Sequence, residues 1–302
     1  MNQYLIFFFL LILIILTFGC GDDNVVAEKN EIVIEDIQIT RYGTEASFDL
    51  ATWNIEYFPK SNNYTIPYLK QIIEDIDLDM IAIQEIDNNT AFYSLIDSLP
   101  GYAGFVAGVP DFGQRLGFIY KTELISVTSP IMLFEDDDWL FPRPPLLTYV
   151  SVKKDMQTVF DFTMIILHLK AFEDSESESR RRDACVKLYN YINSDLLTSN
   201  DSDVIVLGDM NDEVDDPPES NVFSVFLADS THYEFITLPI ANEPTYIGGN
   251  YLSTIDHILI TDDVRAEFNE GLIQVLKPDL EFPKYESYIS DHRPVLAQFF
   301  IL

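Results

Sequence analysis

Residues 204–212 read Val-Ile-Val-Leu-Gly-Asp-Met-Asn-Asp, an apolar run that ends abruptly in polar side chains. The run Val204–Leu207 is short, rich in β-branched residues and followed by Gly208, which is typical of a buried β-strand. Asp209 and Asn211 come directly after it. A buried strand that ends in groups able to bind a metal ion or move a proton predicts an α/β fold whose site lies at a sheet edge.

The same arrangement recurs along the chain. The other places are Asn54 and Glu56 after Phe48–Trp53, Gln84 and Glu85 after Met80–Ile83, His168 and Lys170 after Phe160–Leu167, and Ser290, Asp291 and His292 before the final strand. Taken singly, a carboxylate at a strand end is most often a turn former, and a lone histidine is most often structural. The recurrence favours one shared site, because adjacent strand ends meet at one edge of a sheet.

Strands and helices alternate after Ser47. The predicted strands are Phe48–Trp53, Met80–Ile83, Leu116–Tyr120, Leu146–Val152, Phe160–Leu167, Val204–Leu207, Ile255–Ile260 and Val295–Leu302, and the predicted helices are Ile66–Ile76, Ala91–Ser98 and Arg180–Leu197. This alternation favours an α/β domain of about 250 residues with two sheets faced by helices.

The charge of the chain limits its function. The 302 residues include 18 Lys+Arg and 50 Asp+Glu, a formal net charge of −32. A surface this acidic does not attract a polyanion at long range, so a phosphate substrate must be captured locally, most simply by a divalent cation among carboxylates. The charge argues against a protein that passively coats nucleic acid. The alternative that it only keeps the exterior soluble stays open.

The N-terminus carries signals for export. Leu5–Leu16 is an apolar run of about a dozen residues, too short to span a bilayer but typical of a signal-peptide core. It leads into Leu-Thr-Phe-Gly-Cys, ending at Cys20, which resembles the lipobox of bacterial lipoproteins, although no Lys or Arg precedes the run. The alternative is a short membrane anchor with a chance cysteine. Cys185, alone in a helical pattern, is interpreted as a core residue or a bystander and not as a nucleophile.

These signals divide the chain into three parts. We expect a signal peptide over residues 1–19, a lipid-anchored tether over 20–46 that begins at a lipidated Cys20, and the folded domain over 47–302. The acidic residues after Cys20 resemble signals that send lipoproteins to the outer cell surface. The expected location is the cell envelope, at the outer membrane or cell surface, with the lipid as the only membrane contact. A monomer is expected.

A series of segments resembles the endonuclease/exonuclease/phosphatase (DNase I-like) family. The segments are ATWNIEYF from Ala51, IAIQEID from Ile81, IILHLKA from Ile165, VIVLGDMND from Val204, STIDHILI from Ser253 and SDHRPV from Ser290. That family includes pancreatic-type DNases, abasic-site endonucleases, sphingomyelinases and inositol-polyphosphate 5-phosphatases. The resemblance covers essentially the whole folded domain. It implies a four-layer α-β-β-α sandwich and a metal-dependent hydrolase that cleaves phosphoester bonds.

The resemblance also implies a metal site. Glu85 and Asn54 would hold Mg²⁺, with Mn²⁺ or Ca²⁺ as alternatives, and Asp291 would complete the ligands with Glu56 behind them. All-oxygen ligands suit a hard cation. Such an ion would polarise the phosphoryl oxygens and stabilise the charge on the leaving oxygen.

The implied catalytic residues are Asp209, Asn211, Asp256, His168 and His292. Asp209 would orient and deprotonate the attacking water, and Asn211 would donate hydrogen bonds to the phosphate. His292 would act as an acid or electrostatic stabiliser, held in its tautomer by Asp256. His168 matches a second histidine of the DNase-like branch, placed to protonate or bind the phosphate.

Two basic residues are implied to bind substrate. Arg143, in Phe-Pro-Arg-Pro-Pro, resembles a phosphate-contacting arginine of the DNase-like branch, and a planar guanidinium suits bidentate phosphate binding. Lys170 is a weaker candidate for the same role. One departure concerns Gln114, which stands where that branch has an acid that orients the first histidine. An amide oxygen would still accept the N–H of His168, but it would not raise the pKa of the ring as a carboxylate does.

Three interpretations of function remain. The first is a membrane-tethered phosphodiesterase, specifically a nuclease that acts on extracellular nucleic acid. The second is a phospholipid or inositol-phosphate hydrolase, for which the loop with Trp139 is the one modest candidate for a membrane-inserting hairpin. The third is a non-catalytic surface binding protein, and the presence of every implied catalytic residue argues against it.

Other polar residues are interpreted as structural. Strand alternation points His257 away from the site, and His232 lies in a loop with no partner in view. Arg180-Arg181-Arg182 could contact phosphate, but pairing with the preceding Glu-rich segment is the favoured interpretation.

Overall fold

The computed structural model describes residues 32–108, 113–128, 130–196, 202–249, 251–268 and 271–301. The described residues from Ile34 onward belong to one compact unit. The predicted signal peptide and Cys20 lie outside the described residues. None of the described helices combines the length and the apolar character needed to cross a bilayer.

The first sheet has six strands. They are β1 (Phe48–Phe58), β2 (Met80–Ile86), β3 (Tyr102–Val106), β4 (Arg115–Lys121), β12 (Leu272–Val275) and β13 (Val295–Phe299), in the order β12-β13-β1-β2-β4-β3. β1 and β2 run parallel, and the other neighbours run antiparallel. The parallel pair places the carboxyl ends of β1 and β2 side by side.

The second sheet is built in the same way. Its strands are β5 (Ile125–Val127), β6 (Ile131–Met132), β7 (Leu146–Lys154), β8 (Gln157–His168), β9 (Val204–Asp209), β10 (Tyr233–Phe235) and β11 (Asp256–Thr261). The order is β10-β11-β9-β8-β7-β5, with β6 paired to β7. β8 and β9 are its parallel pair, so each sheet brings two carboxyl strand ends together.

The helices connect and cover these sheets. They are α1 (Thr65–Ile76), α2 (Asn89–Asp97), α3 (Ser175–Tyr191, followed by a π-helical turn at Ile192–Leu196), α4 (Ser224–Ala228), α5 (Arg265–Phe268) and α6 (Tyr285–Tyr288), with 3₁₀ turns at Leu238–Ile240 and Pro278–Leu280. α3 begins before the predicted Arg180, because the Asp174 carboxylate accepts hydrogen bonds from the backbone N–H groups of Glu176 and Ser177 and caps the helix there.

Strand β1 shows how the four layers arise. Its side chains alternate between faces, as the period of two in a strand requires. Phe48 and Leu50 enter the apolar layer between the two sheets, whereas Ala51 and Trp53 enter the layer beneath α1 and α2. A third apolar layer lies between the second sheet and α3 and α4. The predicted α-β-β-α sandwich is therefore confirmed.

The predicted tether includes residues that pack on the domain. Ile39 is buried, and its backbone N–H donates to Asp75 of α1 at 2.8 Å. The backbone N–H of Ile37 donates to Gln71, also on α1, at 3.0 Å. Part of the stretch predicted as a tether therefore belongs to the same compact unit as the domain, and the boundaries of the tether stay a prediction.

Candidate active site

The strand ends of both sheets open into one cavity of about 900 Å³. Asn54 stands on β1 and Glu85 near the end of β2, across the gap from the second sheet. In that sheet, Asp209 pairs in register with His168 on one side and with Asp256 on the other. The convergence predicted from the recurring strand ends is thus present in the fold.

The backbone is unusual where β8 meets β9. Gly208 has φ +149°, and a Cβ at this position would lie 2.0 Å from the carbonyl oxygen of Leu167. Asn211 adopts φ +53°, and its backbone N–H donates to Asp209 Oδ1 at 3.0 Å. Such left-handed conformations cost about 1–3 kcal/mol in a non-glycine residue. Gly208 lets the two strands approach closely enough to set Asp209 beside its neighbours.

The amide of Asn54 bridges the two sheets. Its Nδ2 donates to Glu85 Oε1 at 3.2 Å and to Asp209 Oδ2 at 2.9 Å. Its Oδ1 accepts from the backbone N–H of Glu56 at 3.0 Å. The backbone N–H of Tyr57 donates to Glu85 Oε2 at 3.0 Å. Asn54 therefore fixes the separation between two carboxylates that would otherwise repel each other.

His292 is paired with Asp256. The Nδ1 of His292 lies 2.9 Å from Asp256 Oδ2, and its Nε2 faces the cavity at 3.8 Å from Asp209 Oδ2. The ring of Tyr246 packs edge-on against the imidazole with centroids 5.1 Å apart. The backbone N–H of His292 donates to Ser290 Oγ at 2.8 Å. The ring therefore has one orientation, with Nε2 toward the cavity.

The ionisation of these groups is set by burial and by one another. Burial alone would lower the pKa of His292, but the carboxylates of Asp256 and Asp209 outweigh it and raise the pKa to about 10. Burial raises the pKa of Asp209 to about 7, with Asp256 adding to the rise and His292 opposing it. His292 is thus a cation at neutral pH, next to a carboxylate that is poised to exchange a proton.

A second carboxylate pair lies at the cavity wall. The backbone N–H of Asp291 donates to Glu56 Oε2 at 2.8 Å, and Lys60 also donates to that oxygen. Burial, with the nearby charge of Glu56, raises the pKa of Asp291 to about 7. Glu56 therefore supports the segment that carries Asp291.

The carboxylates of the cavity fit a hard divalent cation, which prefers oxygen ligands. Glu85, His168 and Asp209 each place one donor atom within 4.8 Å of the others, and Asp291 lines the same cavity. Buried carboxylates this close together are costly without a proton or cation between them. Asn54 turns its amide nitrogen toward the carboxylates, so it would need to rotate to offer an oxygen ligand.

His168 does not have the partner that the sequence suggested. Its Nε2 lies 3.4 Å from Asp209 Oδ2, and no described residue offers a hydrogen-bond partner to its buried Nδ1. The expectation that Gln114 accepts from His168 is wrong, because Arg143 donates to the Gln114 amide oxygen instead. Burial, assisted by the charge of Arg143, holds the pKa of His168 well below its ordinary value. His168 is therefore neutral.

The predicted substrate-binding residues lie on one side of the cavity. Asn211 Nδ2 donates to the carbonyl oxygen of Leu169 at 3.2 Å, and Arg143 Nη1 donates to the same oxygen at 3.4 Å. Lys170 lies 4.2 Å over the ring of Phe172. All the predicted catalytic and substrate-binding residues except buried Asp256 line the cavity, and Asp256 lies behind His292.

The remaining polar residues divide into structural and surface groups. His257 is buried, as the strand alternation predicted. His232 is exposed and has a partner that the sequence did not show, Asp229 Oδ1 at 2.7 Å. Cys185 is a buried free thiol whose pKa burial raises to about 12. These residues take no part in the cavity.

The three consecutive arginines have separate partners. Arg182 pairs with Glu178 at 2.6 Å, as the Glu-rich segment predicted. Arg180 instead stacks on Trp139 and donates to its carbonyl oxygen at 2.6 Å. Arg181 is buried against Asp212 at 2.7 Å and lines the cavity, so the interpretation that it pairs with the preceding Glu-rich segment is wrong for it. Sequence reasoning missed Arg181 because nothing in the run distinguishes it from its neighbours.

Comparison with known proteins identifies the fold and the family. A sequence profile of the Endonuclease/Exonuclease/phosphatase family matches residues 51–292. A comparison with curated proteins gives no match.

Several solved structures share the fold. A mannosyl-6-phosphatase of Bacteroides thetaiotaomicron is 15% identical with a TM-score of 0.57, over 83% of this chain and 98% of that one. The human Nocturnin catalytic domain with bound sulfate is 18% identical with a TM-score of 0.57, over 87% and 96%. The Neisseria 3′ phosphatase NExo, bound to a product DNA hairpin, is 15% identical with a TM-score of 0.58, over 83% and 99%.

At these identities the structural likeness establishes the fold, and the profile establishes the family. Family members are generally dependent on divalent metal ions, and the cavity contains acidic and histidine clusters of the kind such ions bind. This chain belongs to the Endonuclease/Exonuclease/phosphatase family, whose members are hydrolases that act on phosphoester bonds.

Proposed function

We propose that this chain is a lipid-anchored, metal-dependent phosphodiesterase of the cell envelope that cleaves nucleic acid. The observation that carries the proposal is the placement of two histidines on either side of one carboxylate. His168 and His292 bring Nε2 to 3.4 Å and 3.8 Å from Asp209 Oδ2. This pairing resembles the DNase-like branch of the family, in which both histidines face the scissile phosphate.

The geometry gives each group a distinct proton state. Asp209, with its pKa near 7, is able to take a proton from a water molecule held beside it. His292 carries its proton on Nε2 toward the cavity, because Asp256 accepts from Nδ1. His292 therefore offers both a positive charge and a proton to a phosphoryl or leaving oxygen.

The neutral His168 has a more limited part. It donates a hydrogen bond to a phosphoryl oxygen through Nε2 when the proton resides there, but it does not add a full charge. Asn211 and Arg143 supply further donors on the same side of the cavity. These groups would bind and orient a phosphate without needing attraction at long range, which the net charge of −32 does not provide.

The metal would be held by Glu85 with Asp291, and by Asn54 after its amide rotates; Mg²⁺ is proposed, with Mn²⁺ or Ca²⁺ as alternatives. When bound, such an ion polarises the phosphoryl group and stabilises charge on the leaving oxygen. Carboxylates from both sheets reach the same cavity, and this arrangement supports the proposal.

The proposed location rests on the sequence. The lipobox-like segment that ends at Cys20 supports lipidation and a place at the outer membrane or cell surface. A monomer is proposed. The phospholipid alternative has less support, because Phe141 is buried in the core beside α3 and leaves Trp139, which is exposed and stacked with Arg180, as the one large aromatic at the surface of that loop.

The proposal is tested by nicking of supercoiled plasmid. The full chain, solubilised in detergent, is incubated with Mg²⁺ or Mn²⁺ and, in parallel, with EDTA. His292→Ala, expressed in the same way, controls for contaminating nuclease. Cleavage that requires metal and is lost in the variant supports the proposal. Intact plasmid, from wild-type protein that binds Mn²⁺, would rule out nuclease activity and direct the search to other phosphoesters.

A further inference from the structure

Arg181 is a buried cation that the proposed chemistry does not use. Its side chain is 4% exposed on α3. Its Nε donates to Asp212 Oδ2 at 2.7 Å, and its Nη1 donates to the carbonyl oxygens of Lys170 at 2.8 Å and Phe172 at 2.7 Å. A buried guanidinium is costly unless its donors are paired, so these bonds define a single position for the side chain.

These bonds join two loops of the cavity. The backbone oxygens that Arg181 holds belong to the loop after β8, which carries Lys170. Asp212 belongs to the loop after β9 and follows Asn211 directly. A carboxylate from one loop and carbonyls from the other thus meet on one guanidinium, whose rigid planar fork suits several acceptors at once.

The joined loops position the groups assigned to phosphate. The carbonyl oxygen of Leu169 accepts from Asn211 and from Arg143. Leu169 immediately precedes the segment that Arg181 holds, so a shift of that segment moves the acceptor shared by both side chains. The backbone N–H of Leu169 also donates to the carbonyl oxygen of Asp209 at 3.0 Å. Loop position and side-chain position are therefore linked.

Asp212 is also fixed from its other side. His257 Nε2 lies 3.0 Å from the carbonyl oxygen of Asp212, and His257 Nδ1 lies 3.1 Å from Thr237 Oγ1. A carbonyl only accepts, so Nε2 carries the proton and Nδ1 accepts from the hydroxyl. His257 holds the backbone of Asp212, and Arg181 holds its side chain. Asp212 therefore has a fixed position from which Arg181 holds the loop after β8.

We infer that Arg181 is a positioning residue: together with Asp212 it fixes the two loops so that Asn211 and Arg143 meet a bound phosphoryl group. The inference rests on the proposed function, since that proposal assigns these two side chains to phosphate. If Arg181 were purely structural, it would only hold α3 in place. A folded variant that lacks Arg181 would then bind phosphate as wild type does, whereas the positioning role predicts weaker binding.

The test compares variants of the full chain in detergent. Arg181→Met leaves the buried Asp212 carboxylate without its cation and risks unfolding the chain. A double variant, Arg181→Met with Asp212→Asn, is therefore made as well, because it removes both charges. Arg181→Lys serves as the conservative variant. Arg182→Met is the matched control, because Arg182 is the next residue on α3 and also bonds a carboxylate and a carbonyl oxygen, those of Glu178 and Ser220. Circular dichroism establishes which variants fold.

Two measurements are made on the folded variants. One is the steady-state hydrolysis of bis(4-nitrophenyl) phosphate with Mg²⁺, resolved into kcat and KM. The other is the calorimetric Kd of inorganic phosphate. We expect the double variant to lose about 10- to 100-fold in kcat/KM and to bind phosphate about tenfold more weakly than wild type. Both values for Arg181→Lys should lie between those of wild type and the double variant. Both values for Arg182→Met should match those of wild type.

The two proposals fail in different ways. A folded double variant that binds phosphate as wild type does would overturn the positioning role, whatever its rate. If the wild-type chain hydrolyses no diester, the proposed function fails, and the phosphate Kd still decides the role of Arg181. An equal loss of phosphate affinity in Arg182→Met would also overturn the inference, because it would show that removing either arginine from α3 weakens phosphate binding.

Discussion

Replacement of Asp256 by Asn tests whether the orientation and charge of His292 matter. Asp256 is fully buried, and its Oδ2 lies 2.9 Å from His292 Nδ1. The substitution keeps the size and an oxygen acceptor but removes the charge. Among the groups that favour the charged ring, Asp256 contributes most, so its loss lowers the pKa of His292. The alkaline limb of the rate profile should therefore move to lower pH.

The magnitude follows from the bond that is weakened. A hydrogen bond between two charged groups is worth about 1.5–3 kcal/mol. If the whole of this stabilisation is realised in the transition state, its loss lowers kcat by about 10- to 150-fold. KM should change little, because the cavity face of His292 still carries the same atoms. The rate is measured on bis(4-nitrophenyl) phosphate across pH 6 to 10 with Mg²⁺.

The chain offers a matched control. Asp229 and His232 form a pair of the same kind at 2.7 Å, but that histidine is exposed and lies outside the cavity. Asp229→Asn should leave both the rate and the pH profile unchanged. The double variant Asp256→Asn with His292→Ala should be no slower than His292→Ala alone, because the carboxylate acts through the ring.

Two results would refute this reasoning. If Asp256→Asn keeps kcat within about threefold of wild type, the charge of Asp256 contributes too little to matter. If the double variant is much slower than His292→Ala, Asp256 acts on the reaction by a route other than His292.

Three further outcomes are expected. Mg²⁺ at a hundredfold excess over its Kd should stabilise the wild-type fold by about 2.7 kcal/mol, seen as a rise in melting temperature, and Glu85→Gln should abolish most of that rise; equal rises in both would remove Glu85 from the metal site. Cys185 should resist thiol reagents at pH 8 until the chain unfolds, because burial raises its pKa to about 12, and rapid site-resolved labelling of the native protein would show that this core opens. Burial raises the pKa of Asp79 to about 6 against the opposing charge of Lys121, so the folded state holds this proton up to a higher pH than the unfolded chain does. The Asp79 contribution to the free energy of unfolding should therefore fall by up to about 3 kcal/mol as the pH rises from 4 to 6; Asp79→Asn should flatten that dependence in denaturant titrations, and an unchanged slope would be evidence against it.

Much of the central fold was predictable because its strands are buried on both faces. Such strands are continuous apolar runs, and their pattern is strong wherever they lie in the chain. The strands that were not predicted, β3, β5, β6, β10 and β12, are short and lie at or beside the sheet edges. Edge strands have fewer buried neighbours, so their sequences carry a weaker pattern.

The sequence by itself determined the alternation of strands and helices, the chemical groups that follow the strands and the resemblance to a family of hydrolases. These properties depend on the residue types and on their order within short segments, and residues distant in the sequence do not change them. It could not determine which groups touch. Gln114 meets Arg143 and not His168, and Arg181 is buried between two loops although its neighbours Arg180 and Arg182 reach the surface. Such contacts join residues brought together only when the two sheets pack, and a hydrogen bond depends on tenths of an ångström that no local pattern records. The tertiary structure alone decided them.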